Sequence, residues 1–180
     1  PFLSPSLFPD FGDGRDGIID VSEDFFPTVC VPILHAFDNA IAISGTDVFA
    51  TGDRVLVMQV QDDASSDERN ALMVKDAGLA GNWQIGRITR IEESPVGALI
   101  RTDRVFQSEF ASFADDEGVR RTAQVCRVPQ YAAVRVRSTG RMRARPWDGS
   151  TGGIVTFLVQ GELFVEGAIE ADGAGFRGGL

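Results

Sequence analysis

Histidine, lysine and tyrosine occur once each in these 180 residues, and cysteine and tryptophan twice. The single histidine, His35, follows the apolar run 29–34 and reads as structural. No Ser-His-Asp set, nucleotide-binding glycine loop or metal-ligand cluster can be assembled around it. Positive charge is scarce overall: the net charge of −9 and pI near 4.6 argue against a nucleic-acid binder. No run approaches the roughly 18 apolar residues of a membrane-spanning helix. Cys30 and Cys126 stand outside any CxxC and beside no histidine, which leaves zinc and thioredoxin-like readings without support. The hydrophobic content of 43% and charged content of 24% are ordinary globular values, so the chain can bury a core.

What is present is a repeat. Shifting residues 134–175 by 21 places Val134 on Val155, Val136 on Phe157, Gly140 on Gly161, Met142 on Leu163 and Ala144 on Val165. Both segments alternate apolar with polar, the period of a strand with one buried face. A repeat of about 20 residues with one or two strands per copy describes a β-solenoid coil. The shift also sets Arg141 over Glu162 and Arg145 over Glu166 as cross-rung ion pairs. The phrase Gly-x-apolar-x-apolar recurs at Gly140, Gly161 and Gly167, as chain turning a corner requires. The predicted fold is all-β, with about two parallel solenoid coils over 132–175 joined by strands from 18–34. An antiparallel meander is the alternative.

The remaining chain divides around that element. Residues 1–17 form an extended arm, rich in Pro, Phe and Leu over 1–12, and then an Asp/Gly loop. Asp10, Asp13, Asp16 and Asp20 have the hard oxygens and intervening glycines of an extracellular calcium loop, in a spacing that is wrong for an EF-hand. A glycine turn with solvated aspartates fits the same residues; calcium is the one cofactor the pattern admits. From 40 to 128, six short strands (40–43, 48–49, 54–61, 83–91, 98–101 and 123–128) separated by turn signals predict a small antiparallel β-barrel inserted into the solenoid part (18–39 and 129–180). A helix over 67–75 is expected in its long polar loop. Cys30 and Cys126 then sit at the two ends of the insertion, where a disulfide would staple its neck; two buried thiols are the other reading. Residues 119–145 hold eight arginines and no acid, but no interleaved aromatics to stack bases.

Three stretches carry a resemblance: Val128-Pro-Gln-Tyr131, Pro146-Trp-Asp-Gly-Ser-Thr-Gly-Gly-Ile-Val-Thr-Phe157, and Gly161-Glu-Leu-Phe-Val-Glu-Gly-Ala-Ile-Glu-Ala-Asp-Gly-Ala-Gly-Phe-Arg-Gly-Gly179. With Gly12-Asp-Gly-Arg-Asp-Gly17, Gly52-Asp53 and Val55-Leu-Val-Met-Gln59, they are similar to the N-terminal, β-rich segment preceding a glycine-rich tract in large secreted or cell-surface proteins of myxobacteria and related Gram-negative bacteria. The resemblance implies export to the periplasm or cell surface and a structural or adhesive role. It supplies no catalytic residues. The opening at Pro1 and the ending at Gly178-Gly179-Leu180 suggest a piece of a longer protein. The expectation is a non-catalytic surface module that meets other protein subunits or surface polymers through the 1–12 arm and the 175–180 end. The alternative is a calcium- or carbohydrate-binding module.

Overall fold

A computed structural model describes residues 11–45, 47–62, 79–94, 97–114 and 120–176, and in these the protein is all-β, without a helix. Accordingly no described helix is long and apolar enough to cross a membrane. The arm over 1–10 and the helix expected over 67–75 lie outside the described residues.

Two kinds of sheet share the chain. The first strands, β1 (Ile18–Val21) and β2 (Asp24–Phe25), and the last six pair in parallel. Those six are β11 (Gln130–Tyr131), β12 (Ala133–Val136), β13 (Arg141–Arg143), β14 (Leu158–Val159), β15 (Leu163–Val165) and β16 (Ala168–Glu170). Their orders are β1-β12-β15, β2-β13-β16 and β11-β14, so the chain passes three times over the same ground. Between the first and second pass lie β3 (Val29–Phe37), β4 (Ala40–Ile43), β5 (Arg54–Asp62), β6 (Trp83–Ser94), β7 (Gly97–Thr102), β8 (Phe110–Ala111), β9 (Phe113–Ala114) and β10 (Arg120–Val128). These eight form one antiparallel sheet in the order β8-β3-β4-β7-β6-β5-β10-β9, with β3 also pairing β10.

Three expectations are corrected here. Residues 29–34, assigned to the parallel part, belong to β3, a strand that pairs antiparallel with β4, β8 and β10. The antiparallel insertion therefore begins at β3, ahead of residue 40. Val48 and Phe49 form no strand; Phe49 is buried as a core plug. The 21-residue register is also wrong. Val134 lies between Ile19 and Leu163, Val136 between Val21 and Val165, and Met142 between Phe25 and Ile169. The later passes are thus offset by 27 to 29 residues, and Val155 sits in the connection between β13 and β14. That connection is longer than a plain turn because it folds on itself. Gly152 and Gly153 take positive φ, and the Gly153 amide donates to the Arg145 carbonyl at 2.8 Å.

Corner glycines hold the passes in register. A Cβ on Gly140 would strike the Val21 carbonyl, and one on Gly167 would strike the Gly140 carbonyl. The stacked phrases are consequently Gly140-Arg-Met-Arg-Ala144 and Gly167-Ala-Ile-Glu-Ala171, which match at alternate positions. Inward-facing Val21, Tyr131, Val134, Val136 and Met142 fill the space between passes as one cluster. A second core, including Ile33, Ile41, Ile43, Val55, Val57, Ile88, Ile100 and Phe110, fills the antiparallel sheet.

A third cluster joins the two bodies: Leu56, Cys126 and Val128, with Cys30, Ile85, Ile154 and Leu158 packed against them. Cys30 and Cys126 face each other across β3 and β10 and are joined by a disulfide. Closing a loop of 96 residues removes denatured-state entropy worth about 4.7 kcal/mol in the chain-entropy view. Replacing both cysteines by serine is expected to lower the unfolding free energy by about 3–5 kcal/mol. Urea denaturation of oxidised, reduced and double-serine protein measures this; coincident curves would contradict it.

Candidate functional site

The acidic loop that follows the arm is consumed by arginines. Its glycines Gly12, Gly14 and Gly17 all take positive φ, which lets the loop fold tightly against β11. Asp13 accepts from Arg15 Nε at 3.2 Å. Asp16 accepts from Arg127 at 2.6 Å through Oδ1 and from the Gln130 amide at 2.7 Å through Oδ2. Asp20 accepts from Arg137 Nε at 2.7 Å, and this bond is the main cause of its carboxyl lying below the usual range. The three aspartates thus face three different guanidinium groups. Among the described residues no group of three or more His, Cys, Asp or Glu is placed to hold a metal ion, and Asp10 lies outside them.

A carboxylate not singled out in the sequence completes this arrangement. Asp53, with a side chain only 4% exposed, accepts from Arg127 Nε at 3.0 Å and from the Ala50 amide at 2.9 Å, and its other oxygen lies 3.6 Å from Arg15. Arg127 therefore lies between Asp16 from the loop and Asp53 from the turn before β5. Burial opposes its charge, and both carboxylates over-compensate, raising its pKa further above the ordinary arginine value. Tyr131, beside Asp16, has its phenol pushed up to about 12 by burial and by that negative charge. The sequence signals for this cluster were the Gly52-Asp53 turn and the arginine stripe, but nothing local pairs residues so far apart.

On the solvent face of the parallel strands the charges sort by pass. Residues 17–25 carry Asp20, Glu23 and Asp24 and no base; residues 132–145 carry five arginines and no acid; residues 161–172 carry Glu162, Glu166, Glu170 and Asp172 and no base. The middle arginines bridge both ways. Arg137 meets Asp20, and Arg143 meets Asp24 at 2.9 Å on one side. On the other, Arg135 meets Glu166 at 3.7 Å, and Arg141 and Arg143 meet Glu170 at 3.4 and 3.1 Å. The expected partners are corrected accordingly: Arg141 pairs with Glu170, not Glu162, and Glu166 pairs with Arg135, not Arg145. Arg145 instead lies over the Phe26 ring, 5.3 Å from its centre. The cause is the same register error, since a shift of 21 in place of 27–29 moves every acid along its strand.

Two surface features remain. A cleft of about 290 Å³ opens beside the disulfide, its lining including Phe26, Thr28, Arg145 and Asp148. Asp148 closes a tight turn by accepting from the Ser150 and Thr151 amides at 2.8 Å each, which holds its carboxyl at about 2. The other feature is the end of the parallel stack. Leu163, Val165 and Ile169 occupy the positions at which Val134, Val136 and Met142 are fully buried, yet they are 46, 42 and 40% exposed.

No protein-family model and no curated protein matches this chain.

Replacing Arg127 by alanine leaves the buried Asp53 with only the more distant Arg15, at 3.6 Å, as a guanidinium partner. It is expected to cost about 1.5–3 kcal/mol, the worth of hydrogen bonds to a charged group, read by urea denaturation. For Asp148 the folded pKa lies below the unfolded one, so its contribution is present above about pH 4 and lost as pH falls towards 2. An Asp148→Ala chain should melt lower than the parent at pH 7, by a margin that narrows as pH falls towards 2. Equal melting at both pH values would refute the turn's role.

Proposed function

We propose that this chain is a non-catalytic structural or adhesive module of an exported assembly in the periplasm, outer envelope or cell surface. The observation that carries the reading is the fate of its carboxylates. A hydrolytic site needs acids that converge on a shared space. Here Asp13, Asp16, Asp20, Asp24, Asp53, Glu166 and Glu170 are each tied to an arginine, and most of these ties join separate segments of chain. Such groups hold a scaffold together.

In this reading the three passes are coils of a short parallel β-solenoid. The circuit β3-β4-β7-β6-β5-β10 is a small antiparallel barrel inserted after the first coil; the β3–β10 ladder supports its closure. The disulfide supports an oxidising compartment. The resemblance to secreted and surface proteins of myxobacteria and their relatives points the same way. The partners are other protein subunits or surface polymers, met at the open end of the stack, and nucleic acid is not among them. Calcium or carbohydrate binding is the weaker reading: Asp16 and Asp20 already have arginine partners.

Fractionation of source cells tests the proposal. The native chain is expected with extracytoplasmic material and crosslinked to another envelope component. Recovery as a free monomer from the cytoplasm, with reduced cysteines, would overturn it. Millimolar calcium or a chelator should leave the melting temperature unchanged; a rise with calcium would favour the alternative module.

A further inference from the structure

The third pass of the parallel stack ends in a surface built like an interior. Strand β15 is the outermost of β1-β12-β15, and β16 the outermost of β2-β13-β16. Leu163, Val165 and Ile169 point the way their buried counterparts point, but nothing described covers them. The backbone is open as well. The Val134 amide donates to the Glu162 carbonyl and the Glu166 amide to the Val136 carbonyl, so even-numbered residues of β15 face inward. By strand alternation the amides and carbonyls of Leu163 and Val165 face outward, as on an unpaired sheet edge.

Charge decides what can lie there. The stack alternates acidic, basic and acidic, and its exposed end is acidic through Glu162, Glu166, Glu170 and Asp172. Glu166 and Glu170 are reached by arginines from one side only, and Glu162 and Asp172 make no ion pair among the described residues. A second copy is a poor fit. Its first pass is acidic through Asp20, Glu23 and Asp24, so head-to-tail stacking sets acid on acid, and end-to-end stacking of two third passes does the same. The middle pass shows what does fit: Val134, Val136 and Met142 inward, alternating with arginines that reach acids on both sides.

We propose that β15 and β16 receive a further parallel pass from a basic partner polypeptide, one that places apolar residues over Leu163, Val165 and Ile169 and Arg or Lys over Glu162, Glu166 and Glu170. Strand addition supplies main-chain hydrogen bonds, and the alternating side chains supply selectivity. This deepens the assembly reading above and rests on it.

The test uses the full chain and a labelled synthetic peptide with the sequence of residues 132–145, which has the required alternation. Fluorescence anisotropy is expected to show saturable binding at 50 mM NaCl that weakens at least tenfold at 500 mM. A scrambled peptide of equal charge, and one with its arginines replaced by glutamate, should each bind at least tenfold more weakly. Val165→Pro removes an outward amide and leaves the inward ladder intact, so it should abolish binding while the chain's own melting temperature holds. Should that variant misfold, Ile169→Arg, at an exposed position, serves as the second blocking variant. Equal binding of the scrambled peptide, unchanged binding by a folded blocking variant, or self-association of the chain through this edge overturns the proposal. Loss of peptide binding in a chain that still crosslinks within the envelope defeats this inference alone; cytoplasmic recovery of the chain defeats the assembly reading.

Discussion

One guanidinium ties this protein together. Arg127 leaves the end of β10 and is held by Asp53, from the turn before β5, and by Asp16, from the loop before β1. The loop and the parallel strands it feeds are thereby fixed to the antiparallel sheet, beside the apolar contacts of Leu56, Cys126 and Val128 with Ile154 and Leu158. The adjoining residues depend on the same contact: the second Asp16 oxygen takes the Gln130 amide just before the parallel path resumes at β11. A half-buried ion of this kind adds little net stability against a well-packed apolar substitute. Its value is directional, because a guanidinium with two carboxylates admits one arrangement of the three segments, whereas the apolar contacts of Leu56, Val128 and Ile154 nearby would tolerate sliding.

The same division of labour runs through the parallel stack. Apolar filling by Val134, Val136 and Met142 favours piling one pass on another but does little to choose between neighbouring offsets. The corner glycines exclude any offset that brings a Cβ against the carbonyl of the pass before. Alternation of charge then excludes stacking like on like. With both restraints in place, the offset between passes is independent of how much chain lies between them. Ile19 and Val134 are adjacent across the whole insertion, as Val134 and Leu163 are across one connection.

The all-β character was legible because strand alternation is a local signal, plain in β7 and β12. The offset was misread for a physical reason. Val155 and Phe157 alternate like strand residues, yet they lie in the lead-in to β14, after a turn whose extra length no period reveals. The correct spacing was nevertheless written in the chain: Gly140 and Gly167 open the two phrases that do stack. Reading corners before strands would have found it. The Arg127 cluster could not be found that way, because its members come from three separate stretches and each looks locally like a solvated charge. Likewise β3 looked like part of the parallel set until its partners, β4 and β10, were placed beside it.

The covalent link between Cys30 and Cys126 also has a mechanical meaning. A tensile force applied to the two ends of the chain would travel along β1 and β2, cross from Cys30 to Cys126, and continue into the later strands. The residues between the two cysteines lie off that line. Roughly 300 Å of contour is thus withheld from extension, since each extended residue spans about 3.4 Å. Under tension, this keeps the sheet between the two cysteines folded while the rest of the chain is under strain.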